Sequence, residues 1–338
     1  MNVVNQYVKV ANSIFPAIVM IILGFNYIKL TGSDHYQYIT SMSQNIAIPV
    51  RTLYFLATEP LTLDDLKLIS SLLLSQLSGA LILIPFLFIF KVQTKLKTFA
   101  ALLSIIQINN YITAVPFFSG VFSKILPKYA YMQIMVDFGI CLPIINICFE
   151  YSLQNNKLIK IIGQQLLQTI KHPQIIATLI GISLNYVLHK FNIPKIMFVE
   201  KISDFCGALI PPFGLLSGGM LIHQQYIIKK NTKKDGLTLY SNKSKYKSIR
   251  IITLQLLRHG ILPMIFTCFC KGFKVKRQDL VEMSVSIYAQ PCQILTYTLC
   301  NKYNQLIDEA VFDLVFGTLT VLIMTPLLQI ICQKIGNE

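Results

Sequence analysis

Residues 107–118 read QINNYITAVPFF and lie within a long apolar stretch of the chain. The segment carries three amide side chains, Gln107, Asn109 and Asn110, with Pro116 a few residues further on. Amides are costly to bury in hydrocarbon without a partner, and proline removes a backbone hydrogen-bond donor. The segment therefore predicts a membrane helix that is interrupted where protein or a wet cavity surrounds it.

The whole chain has the composition of a membrane protein. It has 338 residues, of which 54% are hydrophobic and 13% charged, whereas a soluble domain has about a quarter charged residues. Apolar runs of about 20 residues, long enough to cross a bilayer as a helix, recur from end to end. The net charge of +15 does not indicate nucleic-acid binding, because many of the basic residues lie in links between apolar runs.

Ten apolar stretches are predicted to cross the membrane as spans one to ten. They are 7–30, 39–58, 67–90, 98–121, 129–150, 173–192, 196–222, 249–270, 279–300 and 310–333. The chain then divides into a first half at 1–150, a cytoplasmic link at 151–172 and a second half at 173–338, with a basic cytoplasmic loop at 223–248. Lys and Arg are more frequent in the links after odd-numbered spans, which predicts that both termini face outward.

The prolines favour an internal duplication. Each span of the first half contains a proline that has a partner five spans later; the two sets are Pro16, Pro49, Pro85, Pro116 and Pro143, and Pro173, Pro212, Pro263, Pro291 and Pro326. Because five is odd, the second copy is inverted relative to the first. An inverted repeat is a common plan of secondary transporters, whose substrate site lies near the midplane. We predict an all-α membrane protein with ten helices in a 5+5 inverted repeat.

Span nine contains the second interruption, SVSIYAQPCQILTY at residues 284–297. A broken helix leaves carbonyls free on one half and N–H groups free on the other. The N-terminus of a half-helix favours an anion, and amides donate to a carboxylate. We predict a site for a small organic anion between spans four and nine, formed by Asn109, Asn110, Pro116, Gln290, Pro291 and Gln293. The alternative is two kinked helices whose amides bind neighbouring helices.

Basic residues inside the spans are further candidates, since charges are costly in a membrane. Arg51 in span two is predicted to attract the anion. Pairing with a carboxylate or snorkelling to the interface are the alternatives for Arg51. Arg258 and His259 lie together in span eight.

Acidic residues inside the spans suggest how transport is driven. Asp137 in span five is the candidate for proton coupling, because a buried carboxylate binds a proton more readily than an exposed one. A helix-end or ion-paired role is the alternative for Asp137 and is also expected for Asp204 and Asp313. Membrane potential alone is the other driving force left open.

Several segments resemble the auxin efflux carrier family, which includes the plant PIN-FORMED and PIN-LIKES proteins and bacterial malonate and malate carriers. The fourth-span motif of that family has an Asn seven residues before a Pro, as Asn109 and Pro116 do. The second, sixth, seventh and ninth spans of the family are similar to IAIPVRTLYFLA (46–57), HPQIIATLIGISLNYVLHKFNIP (172–194), ISDFCGALIPPFGLLSGGML (202–221) and YAQPCQILTYTLCNKYN (288–304). The resemblance implies crossed broken helices four and nine, a transport domain that moves against a scaffold, and auxin or a related carboxylate as substrate.

The sequence therefore predicts a secondary carrier of small organic anions that works by alternating access. No nucleotide-binding loop, nucleophile elbow or metal-ligand spacing is evident, so we expect no enzyme activity, no metal and no cofactor. The eight cysteines are expected to be buried thiols. Expected partners are the anion and membrane lipid, without nucleic acid; homodimerisation is left open, as is the choice between plasma membrane and endoplasmic reticulum. The alternatives are a membrane sensor or scaffold with the carrier fold, and a sodium-coupled symporter of the bile-acid type.

Overall fold

The computed structural model describes residues 3–31, 35–89, 95–107, 126–153, 158–193, 197–234 and 244–337. Within these ranges the chain is about 90% helical and forms no β-strand. The predicted all-α class is therefore confirmed. Asn109, Asn110 and Pro116 lie outside the described residues.

Fifteen α-helices follow one another in the described ranges. They are α1 (Val3–Thr31), α2 (Tyr36–Met42), α3 (Ile48–Thr58), α4 (Leu63–Ile89), α5 (Lys95–Gln107), α6 (Leu126–Val136), α7 (Leu142–Leu153), α8 (Leu158–Ile170), α9 (Pro173–Lys190), α10 (Met197–Lys234), α11 (Ser244–Leu256), α12 (Leu262–Gly272), α13 (Gln278–Tyr288), α14 (Ile294–Lys302) and α15 (Ile307–Asn337). Spans two, five, eight and nine each comprise more than one of these helices.

Among the described residues, four helical stretches are long and apolar enough to cross a membrane. They are Leu63–Phe88, Met132–Leu153, Met197–Gln224 and Ser248–Gly272, which belong to spans three, five, seven and eight. These four stretches are compatible with a multi-pass membrane protein. The other six spans stay predictions.

An apolar stripe on α4 faces outward from the helix assembly. Its large side chains recur every three or four residues along one face of the helix, and all are exposed: Leu74, Leu77, Leu81, Ile84 and Phe88. A large exposed apolar surface marks contact with a membrane or another protein. The stripe is what a lipid-facing helix requires.

Three π-helical turns interrupt the described helices, each ending two residues before a buried proline. They are Ser43–Ala47 before Pro49, Asp137–Cys141 before Pro143, and Leu257–Ile261 before Pro263. In each case the residue before the proline donates its N–H to the carbonyl five residues back. The wider turn relieves the clash between the proline ring and a carbonyl of the preceding turn. Pro85 and Pro212 instead lie within continuous α-helix.

Helices from the two halves of the chain pack closely together. α1 lies against α10, and α9 lies against α3. At the first contact a Cβ atom added to Gly219 would lie 2.0 Å from the Ile21 carbonyl oxygen, and one added to Gly24 would lie 2.1 Å from the Leu216 carbonyl oxygen. Glycine on both helices therefore lets the two backbones touch.

A second group of helices surrounds the largest apolar core of the described residues. In this group α4 packs on α12, α5 on α7 and α14, and both α13 and α14 on α15. The interrupted span nine therefore lies inside the group.

Both polar links contain helix. Within the predicted basic loop at 223–248, α10 continues to Lys234 and α11 begins at Ser244. Lys, Gln and Ile tolerate helix well, and lysines near a helix C-terminus complement its dipole. The link at 151–172 contains α8, on which Ile159, Leu166 and other apolar side chains are exposed.

Candidate functional site

The ninth span is broken at the predicted place. α13 ends at Tyr288 and α14 begins at Ile294, and the five residues between them, Ala289 to Gln293, are not helical. All five are buried. The last turn of α13 closes with the Ala289 N–H donating to the Val285 carbonyl at 3.0 Å, and Pro291 has no N–H to donate. Irregular backbone of this kind, buried among helices, is the form in which a membrane protein tolerates a broken span.

Two basic side chains from span eight meet the carbonyl end of the first half-helix. Arg258 Nε donates to the Gln290 carbonyl oxygen at 2.8 Å, and His259 Nδ1 contacts the Ala289 carbonyl oxygen. Both side chains are about 1% exposed. They belong to the π turn that precedes Pro263, which directs two consecutive side chains inward. The C-terminal end of α13 carries partial negative charge, so basic groups are favourable there.

An acidic side chain from span ten meets the N–H end of the second half-helix. Asp313 is 1% exposed, and its Oδ2 accepts from the Cys292 N–H at 2.6 Å. Its Oδ1 accepts from Gln255 Nε2 at 2.7 Å. Arg258 Nε lies 3.5 Å from Asp313 Oδ2. The pairing expected for Asp313 is therefore confirmed. The break is held on both sides by charges of opposite sign.

This arrangement changes the prediction about the half-helix N-terminus. The positive end of α14 was expected to favour a bound anion, but Asp313 already accepts from the first N–H after Pro291. The described basic groups at this break are the Arg258 and His259 side chains, which the sequence analysis noted only as neighbours in span eight. Their signal in the sequence was the presence of ionisable residues within apolar spans eight and ten.

The amides of span nine lie at the break as predicted. Gln290 is fully buried and Gln293 is 6% exposed. Gln290 Nε2 lies 3.4 Å from the Ser286 carbonyl oxygen of its own helix. Gln293 precedes α14 without using its side chain to cap it. The Gln293 amide is therefore not engaged in capping α14.

The described part of span four touches the second half of span nine. Thr296 Oγ1 on α14 donates to the Ser104 carbonyl oxygen on α5 at 3.1 Å. At the end of α5 the Gln107 amide donates to the Gln76 carbonyl oxygen. The predicted site residues Asn109, Asn110 and Pro116 follow directly after Gln107, outside the described residues.

Asp137 lies in a second buried polar cluster. It is 2% exposed and opens the π turn before Pro143. Gln76 Nε2 donates to Asp137 Oδ1 at 3.3 Å, and Cys141 Sγ donates to Gln76 Oε1 at 2.9 Å. A buried aspartate of predicted span five thus lies against a polar residue of predicted span three.

Arg51 lies with span seven, away from the break as far as its described contacts show. Its guanidinium pairs with the Asp204 carboxylate, donates to Ser203 Oγ at 3.1 Å and lies 4.4 Å from the centre of the Phe55 ring. The carboxylate pairing that the sequence left as an alternative is observed. The described residues contain no cluster of three His, Cys, Asp or Glu side chains suited to a metal ion. All eight cysteines are free thiols, five of them buried.

Comparison of the chain with models of known protein families finds no match. Comparison with curated proteins also finds no match.

Proposed function

We propose that this chain is a secondary carrier of small organic anions, with the substrate bound between span four and span nine. The observation that carries the proposal is the buried interruption at Ala289 to Gln293 within an apolar helix. An interrupted helix costs hydrogen bonds, and transporters use such helices to present polar groups at membrane depth. The chain would act in a membrane, by alternating access and without a chemical step.

The helix contacts support the ten-span inverted repeat. The contact of α1 with α10, which joins spans one and seven, corresponds to that of α9 with α3, which joins spans six and two. The contacts of α4 with α5 and of α5 with α7 correspond to those of α12 with α13 and of α14 with α15. The pairs α4–α12 and α5–α14 each join a span to its own counterpart. A contact pattern that repeats after five spans is what two inverted copies would produce.

The polar clusters also support two related halves. Asp137 lies against Gln76 in the first half, and Asp313 lies near Arg258 in the second. In both pairs an aspartate of a fifth span approaches a residue of a third span. In the sequence, the proline-containing fourth span lies between those two spans.

The four prolines of the first half that the structure describes differ from their partners in local geometry. Pro49, for example, follows a π turn and Pro212 does not.

The anion would be held by amides and by basic groups set behind the break. Gln293 offers an amide group at the buried break, and Arg258 places positive charge behind Gln290. Carboxylates of the kind carried by the auxin efflux carrier family, which the span motifs resemble, are the substrates to test. Arg51 is left out of the proposed site, since its guanidinium pairs with Asp204 of span seven.

The test is uptake of radiolabelled indole-3-acetate and malonate by proteoliposomes that contain the full chain. Replacing Gln293 with alanine should lower the initial rate by about tenfold or more, the effect of one lost hydrogen bond to a charged group. Thr298→Ala is the matched control, since its hydroxyl donates to the Ile294 carbonyl on the exposed side of the same helix. Its rate should stay close to that of wild type.

Other outcomes of this assay identify the alternatives. Saturable binding of either acid without flux would favour the alternative of a membrane sensor with the same fold. Uptake that stops when choline replaces sodium would identify a sodium symporter. Flux that is equal in wild type and Gln293→Ala would contradict the proposed site.

A further inference from the structure

The His259 ring lies between two hydrogen-bond acceptors. Nδ1 contacts the Ala289 carbonyl oxygen, and Nε2 lies 3.4 Å from Asp313 Oδ1. A Cβ atom added to Gly317 on α15 would lie 3.1 Å from Nε2, so the helix backbone closes the ring in on that side. The imidazole is therefore confined between the break and span ten.

Two acceptors around one imidazole require an extra proton. A neutral histidine carries hydrogen on one ring nitrogen only, and the other nitrogen presents a lone pair. With neutral His259 and ionised Asp313, one ring nitrogen would point its lone pair at an oxygen. Both contacts are favourable only when the pair holds one additional proton, either on the ring or on the carboxyl group.

The surroundings of Asp313 place that proton on the ring. Cys292 N donates to Oδ2, and Gln255 Nε2 donates to Oδ1. Arg258 Nε faces Oδ2 at 3.5 Å. A carboxylate surrounded by donors on both oxygens is best satisfied in its ionised form. The ring of His259 is then the third hydrogen-bond donor to Asp313, beside the charge of Arg258.

Within the described ranges, few other titratable groups face the pair. Arg258 is on the same helix as His259, and the Cys292 thiol at the break donates to the Ala310 carbonyl oxygen at 3.5 Å. On α13 the Tyr288 hydroxyl is turned toward Ser75 of α4, and on α15 Glu309 is paired with Arg250. The described charges of the cluster are therefore Arg258, Asp313 and His259.

We propose that His259 and Asp313 form a proton-binding pair that is loaded with one proton in this conformation. The proton comes from water and adds to the free ring nitrogen, and it returns to water when it is released. On loading, an O–H bond of a hydronium ion breaks as the N–H bond forms, and on release the N–H bond breaks as the proton returns to a water molecule. Gain of the proton changes the net charge of Arg258, Asp313 and His259 from zero to +1.

The proton has two consequences at the break. It lets His259 hold both the Ala289 carbonyl and Asp313, which keeps α13, span eight and span ten together. It also makes the cluster positive, which favours an anion nearby. By linkage, a bound anion favours the protonated pair to the same extent. This second consequence rests on the proposed carrier function; the proton-binding pair itself does not.

Nitrogen-15 NMR of histidine-labelled protein in lipid nanodiscs tests the pair without any substrate. The chain has five histidines, and His259→Gln identifies the His259 signals by their loss. We expect His259 to show two protonated nitrogens, and at the same pH Asp313→Asn should show a neutral ring. His223→Gln is the matched control, because His223 is also buried but packs edge-on against Phe25. Removing it should leave the His259 signals unchanged.

The assignment does not depend on one variant. If His259→Gln fails to fold, loss of a doubly protonated signal in Asp313→Asn still identifies the pair. A His259 ring that stays neutral at every pH at which the protein is folded would overturn the proposal. So would a doubly protonated ring that Asp313→Asn leaves unchanged.

Proteoliposome flux separates this proposal from the carrier function. If transport is coupled to this proton, uptake of malonate or indole-3-acetate should fall as the pH rises. Once the pair is mostly deprotonated, the fall should be about tenfold per pH unit, because the protonated fraction of the protein falls by that factor. His259→Gln should remove that pH dependence. A protonated pair without flux of either acid would overturn the proposed carriage of these acids and leave the pair intact. Flux that is independent of pH, with a neutral ring, would overturn the pair and leave the carrier intact.

Discussion

Replacing Asp313 with asparagine should destabilise the protein more than any other single loss of charge at the break. The substitution keeps the shape of the side chain but removes the negative charge that faces Arg258, and Arg258 is 1% exposed. Removing one partner of a buried ion pair costs about 3–5 kcal/mol, because the other charge is left uncompensated. In a chain of this size that corresponds to a fall in the unfolding midpoint on the order of 10 °C.

The cysteines of the chain provide the assay. The chain has no tryptophan, but five cysteines are buried and free: Cys141, Cys270, Cys292, Cys300 and Cys332. A thiol-reactive fluorogenic maleimide therefore reports unfolding of the detergent-solubilised protein as these thiols become exposed. Cys268 is exposed and supplies a constant background that Cys268→Ser removes.

Asp204→Asn is the matched control for this experiment. Asp204 also pairs with an arginine, Arg51, but its side chain is 61% exposed. Exposed ion pairs contribute about 0–1 kcal/mol, so the control should shift the midpoint by a few degrees at most. Equal midpoints for Asp313→Asn and Asp204→Asn would refute the reasoning. If Asp313→Asn does not fold, the double variant Arg258→Leu/Asp313→Leu should be more stable than Arg258→Leu alone, because no charge is left unpaired.

Three further predictions concern the helix contacts and the fourth span. Gly219→Ala should lower the unfolding midpoint, because the added Cβ atom would collide with the backbone of α1. The control Gly163→Ala, where an added Cβ atom meets nothing within 4 Å, should leave the midpoint unchanged or raise it. Equal midpoints for the two variants would contradict the α1–α10 contact. Asn185→Ala should cost about 1–3 kcal/mol, since its amide donates to three carbonyls that end α3. The control Ser183→Ala, an exposed site on the same helix, should be neutral in the same thermal assay, and a larger effect there would refute the capping role. From the sequence motif alone, Asn109→Ala should abolish uptake of indole-3-acetate and malonate while the midpoint stays at the wild-type value; uptake that persists would count against the site.

The interruption of span nine was predictable from the sequence because its signal is local. Pro291 lacks a backbone donor and lies between Gln290 and Gln293 in an otherwise apolar stretch. The groups that hold the interruption were not predictable, because Arg258 and Asp313 are separated from each other by many residues and meet only through the packing of spans eight and ten. The sequence showed ionisable residues in spans eight and ten but could not show that they meet the break, or which half-helix end each one meets.

The prolines show a similar limit. Pro49, Pro143 and Pro263 are buried and follow π turns, while Pro85 is exposed and lies in continuous helix. All four look alike in the sequence, since each is a proline within an apolar run. Whether a proline interrupts its helix depends on the side that faces neighbouring helices, which is a property of the assembled fold.

Accessibility of the break tests the carrier account most directly. A Gln293→Cys variant in a background in which Cys148, Cys206 and Cys268 are replaced by serine, reconstituted in liposomes, can be labelled by membrane-impermeant methanethiosulfonate reagents added on either side. The account predicts that the new thiol reacts from both sides, because the site alternates in access, and that malonate or indole-3-acetate slows the reaction. A thiol that no reagent reaches from either side, or whose labelling neither acid affects, would contradict it.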